Sequence, residues 1–336
     1  MILIDGSHGE GGGQILRTAV GLAALTQQPC KITSIRKGRC DSGMKEQHLQ
    51  AVNAVAKLCD ANMVGAVKNS EELEFYPLKL RSGSLPVNIS TAGSVGLVLQ
   101  ALLIPSSKTD VNIRVTGGAT YGKWAAPFDH MSQVLFPLLN KMGYKLKYNL
   151  IKDGFFPKGG ADVQVHAYES KLKPLDITEK GKVLAIKGRS VASLSLKTAQ
   201  VAERQAKAAR KGLFKYFGVD AKISSEYQDT LCPGSGIQLW AETENTVIGA
   251  NALGEVSKRS ETVGGEVVNS LIAEYENGCV DKHTADQLIP YMALAGGGKI
   301  LTSEVTGHIL TNAHITEQFL PVKFKIDGRL IECVRA

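Results

Sequence analysis

The stretch GGQILRTAVGLAAL, residues 12–25, carries the pattern that decides the fold of this chain. Its aliphatic residues recur at helical spacing, and two later stretches resemble it: GSVGLVLQALLIP from residue 93 and ADQLIPYMALAGGG from residue 285. Each copy carries a glutamine among aliphatic side chains. Self-similar segments of this kind indicate a fold built from repeated supersecondary units.

A second, more polar helix follows the first helix in two of the copies. The two stretches are KEQHLQAVNAVAKLC (45–59) and MSQVLFPLLNKMG (131–143), and each leads through a short turn into a strand. A third, shorter copy closes with ITEQFLP and two strands, VKFKIDG and LIECVRA. The sequence therefore predicts an α/β protein whose large domain contains three repeated units, each a helix pair with a β-sheet.

The segment between the second and third copies has a pattern of its own. Strands such as VLAIKG, VASLSL and GIQLWAE surround a long basic helix, TAQVAERQAKAARKGLFKYF. We predict a smaller α/β domain over residues 181–278, inserted before the third repeat, and a large domain over residues 1–180 and 279–336. The cations of the long helix fit a solvated face at least as well as an RNA-binding stripe.

Composition limits the classes of function. The 336 residues carry a net charge of +7, which favours an anionic partner such as a nucleic acid or nucleotide but is weak by itself. The longest apolar run, VGLVLQALLIP, is too short to cross a bilayer. The six cysteines show no CxxC spacing, so neither a zinc cage nor a disulfide framework is indicated. We expect a cytoplasmic protein with reduced cysteines and no membrane partner.

The loop HGEGGGQILR, residues 8–17, joins a short strand to the first helix. Backbone N–H groups at such a helix start suit a phosphate, although a tight turn alone also explains a run of glycines. The loop is neither a P-loop, which needs Lys and Ser or Thr after its last glycine, nor a dinucleotide fingerprint, which needs glycine where Gln14 stands. Arg17 lies one turn beyond Gly13, and Arg36 and Arg39 lie in a second loop. Arginines grip oxyanions well, so together these residues favour a phosphate pocket.

His308, in EVTGHILTNAHITEQFLP, is the candidate nucleophile. A histidine in such a place is more often a hydrogen-bonded structural residue, and spacing alone does not decide the matter. The chemical alternative is specific: neutral imidazole is abundant at pH 7 and can attack an α-phosphorus to form a reactive phosphoramidate.

Seven motifs, in order over nearly the whole chain, resemble those of the RNA 3′-terminal phosphate cyclase family. They are DGSHGEGGGQILR, SIRKGRCDSGMKEQHLQAV, TAGSVGLVLQALL, VTGGAT, GFFPKGG, ADQLIPYMALAGGG and GHILTNAHITEQFLPV. The resemblance implies three repeats, each similar to the C-terminal domain of a translation initiation factor, with a small inserted α/β domain. It also implies ATP-dependent conversion of an RNA 3′-phosphate into a 2′,3′-cyclic phosphodiester, through histidine-AMP and RNA(3′)pp(5′)A intermediates.

The resemblance also implies site residues. His308 is the nucleophile that takes AMP on Nε2, and Glu10 lies near a Mg²⁺ or Mn²⁺ ion. The positions that contact the phosphates of the RNA end and of the nucleotide are Arg17, Arg36, Arg39 and Gln47. The positions that bind ATP are Gln100, Pro127, His283, Thr284, Ala285, Asp286 and Gln287. The expected partners are ATP and RNA with a 3′-phosphate, with no obligate protein partner.

Two other functions compete with this interpretation. One is a noncatalytic RNA-binding relative of the same fold that acts in ribosome assembly. Such proteins lack the nucleophilic histidine, so His308 argues against it. The other is an enolpyruvyl transferase, which also uses repeated units and cationic phosphate sites but does not share the quoted motifs.

Overall fold

A computed structural model describes residues 1–38, 41–123 and 125–336. Its first unit contains β1 (Ile2–Asp5), α1 (Gly13–Thr26), β2 (Cys30–Thr33), α2 (Glu46–Cys59), β3 (Asn62–Val64) and β4 (Leu73–Tyr76). The four strands form a sheet in the order β1-β2-β4-β3. Strands β1 and β2 are parallel, and the remaining pairs are antiparallel.

The second unit repeats this topology. It contains β5 (Gly83–Ser94), α3 (Val95–Ser106), β6 (Val111–Ala119), α4 (Phe128–His130), a π-helical segment (Met131–Leu135), α5 (Phe136–Lys141), β7 (Leu146–Lys152) and β8 (Asp162–Ala167). The strand order is β5-β6-β8-β7, and again only the first pair, β5 with β6, is parallel.

The chain then forms strand β9 (Leu175–Ile177), and the inserted segment that follows it forms a sheet of its own. Its elements are β10 (Val183–Ser193), a 3₁₀ turn (Leu194–Leu196), α6 (Val201–Phe217), β11 (Lys222–Gln228), β12 (Ser235–Thr243), β13 (Val247–Leu253) and α7 (Ser260–Asn277). The strand order is β11-β10-β12-β13, and α6 and α7 enclose a separate apolar core against this sheet. The predicted strand VASLSL is the end of β10 together with the 3₁₀ turn.

The third unit is completed after this insertion by α8 (Lys282–Ala295), β14 (Gly298–Leu301), α9 (Gly307–Phe319), β15 (Val322–Asp327) and β16 (Leu330–Arg335). Its sheet, β15-β16-β14-β9, includes β9 as the parallel partner of β14. The three repeated units are thus confirmed, with one difference. The insertion interrupts the third unit after its first strand, β9, instead of preceding the whole unit. Strand β9 was not recognised in the sequence because it has only three residues and therefore carries too little pattern.

Helix α1 lies at the centre of the repeated units. It is buried from Gln14 to Ala24 and packs against α3 of the second unit and α9 of the third. A helix that is apolar on nearly all sides is typical of such a central position. One continuous apolar core therefore links all three units, and the start of α1 lies where they meet.

The inserted segment is fastened to the second unit by a buried ion-pair network. The Arg189 guanidinium on β10 donates to Asp129 at 2.9 Å and to Asp153 at 2.6 Å, and both carboxylates are buried. Tyr121 also donates to Asp129, at 2.6 Å. Such pairing satisfies charges that would be costly if buried alone. In the described part of the chain, no helix is both long and apolar enough to span a bilayer.

Candidate active site

A cavity of about 360 Å³ lies where the three units meet the inserted segment. Arg17 comes from the first unit, Gln100 from the second and His308 from the third, while Asn251 and Leu253 come from β13 of the insertion. Residues that are far apart in sequence therefore share one concave site, which is the usual form of a small-molecule site.

The start of helix α9 places His308 in this cavity. The Thr306 side chain caps the helix by accepting from the backbone N–H of Ile309 at 3.3 Å. Gln14, in the first turn of α1, donates from Nε2 to the His308 carbonyl at 2.8 Å. Gly307 leaves the space that Glu10 occupies, because a Cβ at this position would lie 2.4 Å from Glu10 Oε1. These contacts thus fix the position of the glycine loop relative to the start of α9.

The His308 imidazole lies between two carboxylates. Its Nε2 is 3.0 Å from Glu10 Oε2, and its Nδ1 is 3.5 Å from Asp286 Oδ2. The hydrogen bond to Asp286 raises the pKa of His308, as do the charges of Asp286 and Glu10, while burial and Arg17 oppose the increase. When the ring is neutral, a proton on Nδ1 facing Asp286 leaves the lone pair on Nε2, the tautomer a nucleophile needs.

Arg17 is a buried cation without a carboxylate partner among the described residues. Its side chain lines the cavity, only 8% of the residue is exposed, and its Nε donates one long hydrogen bond, 3.4 Å, to Gln100 Oε1. Burial lowers the pKa of Arg17 to about 10, and the charge of Asp286 opposes the decrease. A buried charge with so little compensation is unfavourable until an anion binds beside it.

Two acceptor atoms on α8 are also left open. Asp286 Oδ1 and Gln287 Oε1 are buried with no hydrogen-bond partner among the described residues, and both side chains line the cavity. Asn312 positions this turn of α8 by donating to the Asp286 carbonyl at 2.7 Å while accepting from Thr18 at the same distance. Since buried polar groups are normally paired, these open acceptors fit a site that a polar ligand completes.

The glycine loop ends against His48. A Cβ on Gly13 would lie 2.0 Å from His48 Nε2, so only glycine allows α1 to begin here. The backbone N–H of Lys45 donates to His48 Nδ1 at 3.0 Å. Burial lowers the pKa of His48 to about 3, and the nearby charges of Arg17 and Arg36 contribute. His48 therefore stays neutral, with the charges of Arg17 and Arg36 both acting on it.

A buried network supports the floor of the cavity. His130 Nε2 contacts Asp281 Oδ1 at 3.1 Å and the Thr284 hydroxyl at 3.1 Å. Asp281 also caps α8 by accepting from the backbone of Thr284 at 2.9 Å, and accepts from the backbone of Gly249 on β13 at 3.2 Å. The second unit, the third unit and the insertion are therefore joined directly beneath His283.

The residues predicted for the site divide into three groups. Those that line the cavity or contact His308 are Glu10, Arg17, Gln100, Pro127, His283, Asp286, Gln287 and His308. Thr284 and Ala285 belong to the same turn of α8, but their side chains are fully buried beneath it. Arg36 and Gln47 are not in the lining of the cavity: Arg36 donates to the Asp41 carbonyl at 3.2 Å, and Gln47 packs near Gly93. Arg39 lies outside the described residues.

Sequence reasoning missed four contributors. Asn251 and Leu253 line the cavity from β13, a strand that no motif pointed to. Asn312 and Gln14 position the catalytic turn through hydrogen bonds. Asn312 and Gln14 could have been found from the sequence, because they lie within the motif stretches GHILTNAHITEQFLPV and DGSHGEGGGQILR, respectively.

The donor set at the cavity fits Mg²⁺ or Mn²⁺ held together with a polyphosphate. No group of three or more His, Cys, Asp or Glu side chains with metal-binding geometry occurs in residues 1–38, 41–123 and 125–336. Mg²⁺ needs no such cage, because it commonly uses one or two carboxylates plus substrate phosphates and water. Glu10 and Asp286, on either side of His308, supply two carboxylates.

Comparisons with known proteins show the family of this chain. The family model described as RNA 3′-terminal phosphate cyclase matches residues 8–326. A curated protein of that name from Pyrococcus furiosus is 42% identical over 332 residues, covering 98% of this chain and 96% of its own. The homologue from Pyrobaculum aerophilum is 45% identical over 330 residues, covering 96% and 94% of the two chains. The homologue from Methanopyrus kandleri is 41% identical over 340 residues, covering 98% and 96%. Both the match to nearly the whole chain and these identities show that the chain belongs to the RNA 3′-terminal phosphate cyclase family.

Proposed function

We propose that this protein uses ATP to convert the 3′-phosphate end of an RNA into a 2′,3′-cyclic phosphodiester. The observation that carries the proposal is the position of His308, between Asp286 and Glu10 at a cavity that is also lined by Arg17, a buried cation with no ion pair among the described residues. This arrangement supplies an oriented imidazole and an oxyanion site in one place, as phosphoryl chemistry requires.

The reaction proceeds in three displacements at phosphorus. His308 Nε2 attacks the α-phosphorus of ATP, so that a P–N bond forms, the bond to the β-phosphate oxygen breaks and pyrophosphate leaves. An oxygen of the RNA 3′-phosphate then attacks the same phosphorus, which gives RNA(3′)pp(5′)A and frees the histidine. The vicinal 2′-OH finally attacks the RNA phosphorus, loses its proton and expels AMP. The second displacement turns an oxygen of the RNA 3′-phosphate, a poor leaving group, into part of AMP, a good one, and the covalent intermediate divides the reaction into easier steps.

The chain's own residues orient these groups. Asp286 holds the proton on Nδ1 of His308, and Arg17 contacts the oxygens of the reacting phosphates. We assign Arg36, Arg39 and Gln47 to the RNA phosphate because they match the phosphate-contacting positions of the family's motif, and the charge of Arg36, like that of Arg17, acts on His48.

The nucleotide of ATP is assigned to the remaining wall of the cavity. The assigned residues are Gln100, Pro127, His283, Thr284, Ala285, Asp286 and Gln287. Open acceptors on this wall, Asp286 Oδ1 and Gln287 Oε1, are available to donors of the nucleotide. The buried Thr284 and Ala285 shape the turn that presents them.

Glu10 is the residue that would hold Mg²⁺ or Mn²⁺ with the triphosphate, because the Asp286 carboxylate, on the other edge of the imidazole, is assigned to Nδ1 of His308. When bound, the ion would neutralise phosphate charge and so favour departure of pyrophosphate. The proposed division into a large domain (residues 1–180 and 279–336) and an inserted domain (181–278) is supported by the separate sheet and apolar core of the insertion. A cytoplasmic location is supported by the five described cysteines, which are all free and buried.

The test is transfer of label from α-phosphate-labelled ATP to the protein, with Mg²⁺ and without RNA. We expect acid-labile label on the wild type and on His314→Asn, a matched control on the exposed side of the same helix α9, and none on a folded His308→Asn. Label that persists in His308→Asn would contradict the assignment of the nucleophile. Absence of label from folded wild type that binds ATP would favour a noncatalytic RNA-binding protein.

A further inference from the structure

A second and larger cavity adjoins the candidate active site. This groove, of about 700 Å³, lies between loops of the second unit and the inserted segment. One wall includes Lys123 and Phe156, and the opposite wall includes Val256 at the start of the loop before α7. Gly122 and Leu253 line both the groove and the nucleotide cavity, so the two spaces border each other.

Two motifs without an assigned role support the wall of the groove in the second unit, and one of them, GFFPKGG, supplies the lining residues Phe155, Phe156 and Pro157. VTGGAT (115–120) and GFFPKGG (154–160) pack backbone to backbone: the N–H of Thr120 donates to the Gly154 carbonyl at 2.9 Å, and that of Ala161 to the Gly118 carbonyl at 3.2 Å. Gly159 adopts φ +70°, and a Cβ there would lie 2.5 Å from the Gly118 carbonyl oxygen. The backbone on both sides of Phe156 is therefore fixed.

This rigid platform presents one aromatic ring to solvent. Phe155 is 3% exposed and packs on Tyr121 with ring centroids 5.8 Å apart, whereas Phe156 is 61% exposed at the groove. Val256, on the opposite wall, is 98% exposed. Exposed apolar side chains that gather at one concave surface indicate a binding surface.

The groove also carries cationic side chains. Lys123 and Lys258 line it, but each already forms an ion pair, Lys123 with Glu255 at 3.4 Å and Lys258 with Glu266. Lys158 and Lys197, next to lining residues in sequence, are exposed and form no ion pair within the described residues. An aromatic stacking platform flanked by lysines is the combination that binds single-stranded nucleic acid.

We propose that this groove binds the single-stranded RNA upstream of its 3′ end, with a base stacked on Phe156. The inference rests on the proposed function, because its occupant is the RNA whose 3′-phosphate enters the adjoining cavity. Because the groove shares Gly122 and Leu253 with that cavity, a strand lying in it would lead away from the reacting end. The two motifs hold the Phe156 ring in place before RNA binds, so that little conformational entropy is lost when a base stacks on it.

The test compares Phe156→Ala with the wild type in two assays. The first measures the Kd of a 5′-fluorescein-labelled, 3′-phosphorylated oligoribonucleotide by anisotropy, and the second measures AMP loading from ATP without RNA. We expect the Kd to rise roughly 5- to 100-fold, the effect of losing one stacked base, while AMP loading stays at the wild-type rate because that step involves no RNA. Phe156→Tyr should retain tight binding. Phe214→Ala, which removes an exposed ring from α6 outside the groove, should bind as the wild type does.

An unchanged Kd in Phe156→Ala would overturn the inference, and so would an equal loss in Phe214→Ala. Loss of AMP loading together with RNA binding in Phe156→Ala would also overturn it, because a general structural role would then explain both. Failure of the wild type itself to load AMP would instead contradict the proposed function. A 3′-phosphorylated dinucleotide, too short to follow the groove, should lose little affinity in Phe156→Ala.

Discussion

Replacing Arg17 by Met tests whether the charge of this arginine destabilises the ligand-free protein and serves to bind a phosphate. Methionine keeps much of the length and the apolar stem but removes the charge. Burial lowers the pKa of Arg17 from 12.5 to about 10. At about 1.36 kcal/mol for each pKa unit, this shift means that the folded protein destabilises the charged guanidinium by roughly 3 kcal/mol. The single hydrogen bond that is lost, to Gln100, is long at 3.4 Å. We therefore expect ligand-free Arg17→Met to be more stable than the wild type by about 1–3 kcal/mol.

The same substitution should weaken the response to ligand. Hydrogen bonds to charged groups contribute about 1.5–3 kcal/mol, so the affinity for ATP or for the RNA 3′-phosphate should fall roughly 10- to 150-fold. Slower AMP loading should accompany the loss, because Arg17 faces His308 across the cavity. A gain in stability together with a loss of activity is the trade-off expected when a strained group is kept for function.

Thermal unfolding with and without ATP and Mg²⁺ measures both effects. Arg17→Met should unfold at a higher temperature than the wild type without ligand, and ATP should raise that temperature less. Arg114→Met is the matched control, because Arg114 forms an exposed ion pair with Asp162 at 2.8 Å far from the cavity. This control should lose at most about 1 kcal/mol and keep its response to ATP. A less stable Arg17→Met that still responds fully to ATP would refute the reasoning.

Two further predictions concern titratable groups. Asp286 raises the pKa of His308, so the rate of AMP loading at saturating ATP should rise with pH through that pKa, as neutral imidazole forms, and then level off. Asp286→Asn should move the midpoint of this pH profile to lower pH. An unchanged midpoint, measured between pH 5.5 and 8.5, would contradict the pairing of Asp286 with His308. His130→Asn removes the ion-pair partner of the buried Asp281, which keeps its hydrogen bonds from the backbone of Thr284 and Gly249, and should lower the free energy of unfolding by about 3–5 kcal/mol in urea. His166→Asn, which breaks an exposed pair at 2.7 Å, should lower it by less than about 1 kcal/mol, and similar losses in the two variants would disprove the difference.

Much of the candidate site was predictable because it lies in continuous motifs. The glycine loop, Arg17 and His308 each belong to a stretch whose local pattern already indicates a helix start with a polar or charged residue beside it. Helix α1 follows the same logic, since its aliphatic residues fit a buried helix. For Thr284 and Ala285 the sequence indicates only that they share a turn with Asp286, and their burial depends on how α8 packs.

The sequence by itself determined the three-unit repeat, the identity of the family and the residues with the required chemistry, because helical periodicity and motif residues are local properties of the chain. Only the tertiary structure decided which of them meet. The hydrogen bond from Gln14 to the His308 carbonyl joins residues 294 positions apart, and Asn251 enters the cavity from an insertion without a motif. The three-residue strand β9 completes the third sheet only by pairing with β14, across the whole insertion. Contacts of this kind arise from packing between distant segments, so no local pattern in the sequence encodes them.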